Sequence, residues 1–265
     1  DVAVTGVQTC ALPISRTQPV VAKNGMVVAQ EAVAARIGIE ILKRGGNAVD
    51  AAVATGFALA VTLPRAGNLG GGGFMLVHLA TEKKTIAIDY RETAPASMTK
   101  TIFLDEAGKF IPAKSQSSGL AVGVPGTVAG LYLAWEKYGS GKLEFSELVR
   151  PAMLLARDGI KVEGDLISSL AEVKDRLARY PSSRAIFLHT DGTPLRDGDV
   201  LVQPDLATTL YRIVQRGPKG FYEGETAERI VNAVRNEGGI MAADDLRDYK
   251  AIERDVVRGK YRDRE

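Results

Sequence analysis

The stretch that decides the fold is residues 45–75, GGNAVDAAVATGFALAVTLPRAGNLGGGGFM. Gly45–Gly46 close a preceding helix, and Asn47 is a good N-cap for the next one, with Asp50 at the third position where an acid suits the helix dipole. The following run through Ala51, Ala52, Ala54, Ala58 and Ala60 is small on every side, which implies a helix packed closely inside a layered core. Its longest apolar run, residues 51–63, falls short of the ~18–20 residues of a membrane span. Pro64 ends it, and a glycine-rich loop, Gly67-Asn68-Leu69-Gly70-Gly71-Gly72-Gly73, leads into a strand that begins at Phe74.

Upstream of that stretch, Val33, Ile37 and Ile41, with Ala34 and Leu42 beside them, recur at helical spacing, and Lys43–Arg44 stand in the last turn. Short apolar runs at 20–23 and 26–29 flank Asn24–Gly25, a pair that tolerates φ > 0 and so predicts a hairpin. Downstream, residues 74–79 and 85–90 read as two strands around a polar turn at 81–84. Both strands are largely apolar on either face, as in a sheet covered on both sides. Residues 106–118 read as a mobile connection. Gly123-Val124-Pro125-Gly126 then opens a helix carrying Val128, Leu131, Tyr132 and Trp135, which stops at Gly139. Beyond it, helical patterns cover 146–157, 165–180, 205–215, 225–236 and 243–249. Strands and helices followed by helices predict an α/β class.

Composition narrows the function. The chain has 265 residues, 45% hydrophobic and 25% charged, with a net charge of +2 from 34 Lys+Arg against 32 Asp+Glu. With no basic block above that balance, nucleic acid is a poor partner. A lone cysteine, Cys10, rules out an internal disulfide framework and argues against a cysteine-based zinc site. His78 and His189 lie far apart and show no ligand spacing. His78 falls on a strand and reads as a packed core residue, and His189, before Thr190-Asp191-Gly192, as a turn residue. Residues 1–15 lack the charged start and clean apolar core of a signal peptide and read as a non-native extension.

The glycine loop allows close main-chain approach. A phosphate cradle would need strand, loop and helix N-terminus in that order, with Lys-Ser/Thr or spaced glycines. Here the order is helix, loop, strand, and a tight entry into the strand is the plainer expectation. Arg91 ends the strand Ile86-Ala87-Ile88-Asp89-Tyr90 and is the best candidate for chemistry, because a guanidinium fork matches a carboxylate at two points. A structural salt bridge to Asp89 or Glu92 is the competing reading. Gly123-Val124-Pro125-Gly126-Thr127 is open to two readings, a helix N-terminal anion site or a strand-to-helix corner.

Several of these segments, taken together, resemble the γ-glutamyltranspeptidase family. They are Gly45–Ala52 with Ala66–Met75, Asp89-Tyr90-Arg91-Glu92-Thr93-Ala94-Pro95, Gly123–Gly130, Pro151-Ala152 to Gly159, Gly217 to Gly224, and Asp245-Leu246 to Tyr249. The resemblance runs from about residue 19 to 262, so that residues 16–265 form part of a large-subunit domain. It implies an N-terminal-nucleophile hydrolase with an α-β-β-α sandwich, incomplete in this chain. It implies a precursor that cuts itself into two subunits, with a threonine at the new N-terminus as nucleophile. It implies γ-glutamyl transfer or hydrolysis of glutathione and related amides through an acyl-enzyme, with water, an amino acid or a peptide as acceptor and no cofactor. Arg91 matches the family arginine that binds the donor's α-carboxylate. The nucleophile would lie outside this chain, in the small subunit of the same precursor, so that residues 1–265 alone are expected to be inactive. Thr127 and Thr208 do not sit in the family's cleavage motif. Family members in bacteria are usually periplasmic or secreted. A cephalosporin (glutaryl) acylase-like member and a non-catalytic binding homologue are the alternatives.

Overall fold

The computed structural model describes residues 3–5 and 20–263. In chain order its strands are β1 (Ala3–Thr5), β2 (Met26–Val28), β3 (Phe74–Leu79), β4 (Lys84–Asp89), β5 (Ile160–Lys161), β6 (Val200–Leu201) and β7 (Ile252–Arg254). Its helices are α1 (Ala32–Lys43), α2 (Ala48–Thr62), α3 (Pro112–Gln116), α4 (Thr127–Tyr138), α5 (Phe145–Asp158), α6 (Asp165–Leu177), α7 (Pro181–Phe187), α8 (Pro204–Arg216), α9 (Lys219–Tyr222), α10 (Glu225–Asn236) and α11 (Ala243–Arg247). The chain divides into two compact units. One comprises the chain up to Asn68 with Gly139–Gln215, the other Leu69–Tyr138 with the chain from Arg216.

The first unit is built on α1, α2 and α5. Glu31 caps α1 through its carboxylate, which accepts from the backbone N–H of Val33 at 2.8 Å and of Ala34 at 3.2 Å. At the start of α2 the expected cap is a full capping box. Asn47 Oδ1 accepts from Val49 and Asp50 N–H at 2.9 and 3.0 Å, and Asp50 Oδ2 accepts from Asn47 N–H at 2.9 Å. The same Asp50 oxygen accepts from Ser140 N–H at 3.0 Å, which ties the helix start to the turn before α5. Small residues let the helices close up: a Cβ added at Gly38 would stand 2.5 Å from Thr55 Oγ1. Phe57 and Phe145 meet edge to face between α2 and α5 at 5.6 Å.

The predicted hairpin at 20–29 does not form. Met26–Val28 is a strand, but it pairs in parallel with Ala3–Thr5, and residues 20–23 are not a strand. The two-residue turn that Asn-Gly favours needs φ > 0 at both positions, and neither Asn24 nor Gly25 adopts it. Val21 is 86% exposed, so a strand there would have had nothing to bury against. Apart from β1, residues 1–15, read above as an extension, lie outside the described residues.

The second unit carries the antiparallel sheet β3-β4-β7. Met75 pairs with Ile88 and Val77 with Ile86, and this face is turned inward, with α4 packed on β4. The other face is open: Phe74 is 65% exposed, Leu76 70% and Ile252 51%. His78 belongs to this open face, not to the core; its strand is apolar on both sides, but only one side is covered in this chain. Its Nδ1 lies 2.9 Å from Thr85 Oγ1. The segment at 106–118 is more structured than expected, with a bridge between Leu104 and Phe110 and the short helix α3. The helix expected over 165–180 stops at Leu177, and α7 begins after it at Pro181.

Candidate functional site

Three separated motifs meet around residues 90–92 of the second unit. Gly73 and Tyr90 exchange backbone hydrogen bonds of 3.3 and 3.0 Å, extending the β3–β4 ladder by one pair. Thr93 and Val124 do the same at 3.2 and 2.8 Å, so that the segment leading into α4 runs beside the segment leaving β4. The glycines permit this approach. A Cβ at Gly72 would fall 2.5 Å from Tyr90 O and 2.9 Å from Arg91 Cα, and one at Gly126 would fall 2.0 Å from Tyr90 O. Gly130 lets the Tyr90 ring lie against α4, since a Cβ there would stand 2.1 Å from Tyr90 Cγ.

The glycine loop and the α4 N-terminus satisfy each other. Gly71 turns its carbonyl toward the helix and accepts from Gly126 N–H at 2.7 Å and Thr127 N–H at 3.1 Å. Ala129 N–H donates to Tyr222 Oη at 3.2 Å. These N–H groups are the ones an anion would need, and protein oxygens hold them. Residues 123–127 therefore form a strand-to-helix corner, and the glycine loop is a tight strand entry rather than a phosphate cradle.

Arg91 stands where β4 ends, with its side chain exposed. Its N–H donates to Asp89 Oδ1 at 3.0 Å, and its carbonyl accepts from Tyr249 Oη at 2.8 Å. The salt bridge expected as a competing reading is absent. Asp89 Oδ2 instead accepts from Arg254 Nε at 2.6 Å, and among the described residues no carboxylate, Glu92 included, pairs with the Arg91 guanidinium. The Arg91 N–H, then the Arg254 guanidinium, hold the Asp89 carboxyl below the usual carboxylate range. Burial, followed by the charges of Asp89 and Glu92, pushes the Tyr249 phenol up to about 12. Tyr222 and Tyr249 fall in segments that carry the family resemblance but have no role assigned there, and Arg254 is not marked at all. All three come from beyond residue 216, and no local spacing marks them as neighbours of residue 91.

His189 is a turn residue, as its sequence suggested. Its N–H donates to Thr193 O at 2.8 Å, and its Nε2 lies 2.9 Å from Asp199 Oδ2. Among the described residues no cluster of three or more His, Cys, Asp or Glu could hold a metal ion.

Comparison with known proteins places this geometry. The chain superposes on the crystal structure of Helicobacter pylori gamma-glutamyltranspeptidase with a TM-score of 0.86 and 43% identity, covering 94% of this chain and 69% of that one. It also superposes on the cephalosporin acylase from Bacillus halodurans with a TM-score of 0.81 and 30% identity, covering 96% and 48%. The fold is thus the mixed α/β fold of the N-terminal-nucleophile hydrolases. The sequence model of the Gamma-glutamyltranspeptidase family matches residues 34–265, and the chain belongs to that family. A curated relative, the Glutathione hydrolase proenzyme of Escherichia coli, is 49% identical over 245 residues, 92% of this chain and 42% of the relative. The chain therefore spans less than half the length of that relative.

Proposed function

We propose that this chain supplies the donor-carboxylate anchor of an enzyme that transfers or hydrolyses γ-glutamyl groups of glutathione and related amides. Arg91 is the anchor. The observation that carries this reading is an exposed guanidinium, without an ion pair among the described residues, on a residue whose backbone is held at both its N–H and its carbonyl. A guanidinium binds a carboxylate through two parallel hydrogen bonds, which fixes the donor's orientation as well as its charge. In this reading the γ-amide is attacked by a threonine outside the 265 residues, and the acyl-enzyme passes its γ-glutamyl group to water, an amino acid or a peptide. The partner is the small subunit of the same precursor, no organic cofactor takes part, and the enzyme works in the periplasm or outside the cell. Family membership and the name of the E. coli relative support this reading.

The test is Arg91→Lys in the complete enzyme. Lysine keeps the charge and loses the fork, so the donor KM rises about tenfold or more while kcat changes little. Unchanged donor KM and kcat/KM would sink the assignment. The likeness to a cephalosporin acylase supports a second reading, in which the donor is a glutaryl amide without the α-amino group. Hydrolysis of γ-glutamyl- and glutaryl-p-nitroanilide side by side separates the two.

A further inference from the structure

The tyrosine that bonds the Arg91 carbonyl is itself carefully held. The Tyr249 ring stacks on Tyr222 with centroids 6.0 Å apart and planes 7° from parallel. Tyr222 is fixed in turn by the start of α4: its hydroxyl donates to Pro125 O at 2.9 Å and accepts from Ala129 N–H at 3.2 Å. Gly126 leaves room for the arrangement, since a Cβ there would stand 2.1 Å from Tyr249 Oη. With its phenol pushed up to about 12, Tyr249 remains a hydrogen-bond donor at neutral pH. Asp89 completes the arrangement from the other side, accepting from Arg91 N–H while Arg254 holds its second oxygen.

We infer that Tyr249 and Asp89 are positioning residues for the donor anchor: by bonding the carbonyl and the N–H of Arg91, they fix the direction in which its side chain leaves the end of β4. This rests on the reading of Arg91 given above. A guanidinium fork engages both carboxylate oxygens only within a narrow range of angles, so freedom at the Arg91 backbone weakens the grip without touching the reacting atoms. Tyr249 and Asp89 each act through Arg91.

The experiment uses the complete processed enzyme with Tyr249→Phe, Arg91→Lys and the double variant. The two donors are γ-glutamyl-p-nitroanilide and its analogue with hydrogen in place of the α-carboxylate, 4-aminobutyryl-p-nitroanilide. Loss of one neutral hydrogen bond predicts that Tyr249→Phe raises KM for the carboxylate-bearing donor about 2- to 10-fold. It leaves kcat nearly unchanged, leaves KM for the analogue unchanged, and adds nothing further in the Arg91→Lys background. An unchanged KM in Tyr249→Phe, with KM raised in Arg91→Lys, overturns the role of Tyr249 and leaves the anchor standing. An unchanged KM in Arg91→Lys overturns both. A fall in kcat alike for both donors shows a merely structural role and also overturns the inference. If Tyr249→Phe does not mature, Asp89→Ala removes the other half of the clamp and is judged by the same contrast between donors.

Discussion

Asp89 accepts from the N–H of Arg91 and from Arg254, and both stabilise its charged form. A carboxyl whose folded pKa lies below its unfolded value adds stability that is complete above the unfolded pKa, about 3.9. That contribution is lost as pH falls through the depressed folded pKa. Thermal melts of the complete enzyme should therefore lose stability below about pH 4 more steeply than those of Asp89→Asn, which has no such proton to gain. The two profiles should run parallel at higher pH. Equal acid slopes in the two proteins would remove Asp89 from the account. At this scale the sequence was half legible. Arg91 could be singled out because a strand-end arginine in a distinctive motif is visible locally. Whether Asp89 would neutralise it could not be seen, because the cation that takes Asp89 lies 165 residues away on β7.

Elements whose signals are local fall where the sequence put them. α2 starts after Asn47, α4 follows Gly126, α10 spans Glu225–Asn236, and β3 begins at Phe74. Each is set by a cap, a glycine stop or a run of fixed period. β7 is three residues, too short for any period to show, and its pairing with β4 rests on tertiary contact alone. The failed hairpin at 20–29 teaches the same point from the other side, since a turn-forming pair does not make a hairpin where one arm, residues 20–23, stays largely exposed and the other, Met26–Val28, pairs elsewhere. Two substitutions test the local devices. Asn47→Ala removes the acceptor for two N–H groups at the start of α2 and should cost about 1 kcal/mol, read as a fall in Tm of about 2–4 °C. Gly126→Ala should cost more, about 3 kcal/mol, because its Cβ meets the Tyr90 carbonyl and the Tyr249 hydroxyl at once. It should also raise the donor KM, since both neighbours flank Arg91. A Gly126→Ala enzyme with native Tm and KM would contradict the packing described here.

At the scale of the molecule, the open face of the β3-β4-β7 sheet sets the strongest expectation. Phe74 and Leu76 stand two residues apart on this face of β3, both more than 60% exposed, and Ile252 lies on the same face beyond Asp89. Scattered apolar residues are ordinary on a surface, but two large neighbours this exposed on one strand of a sheet face point to a surface that is covered in the working protein. Strands apolar on both sides ask for cover on both sides, and the chain spans 42% of the length of its E. coli relative. In the function proposed above, the cover is the second subunit of the same precursor. The purified 265-residue chain should then associate in solution and bind a hydrophobic dye. Leu76→Lys should reduce both effects while changing its stability by no more than about 0.5 kcal/mol, as for a surface site. In the complete enzyme the same substitution should be costly, because it would bury a lysine without a partner, and the yield of processed enzyme should fall. Light scattering of the isolated chain and the yield of the complete one read the two halves of this prediction. A monodisperse monomer that ignores the dye, together with a complete enzyme that tolerates Leu76→Lys, would mean that the face is a free surface and that the cover lies elsewhere.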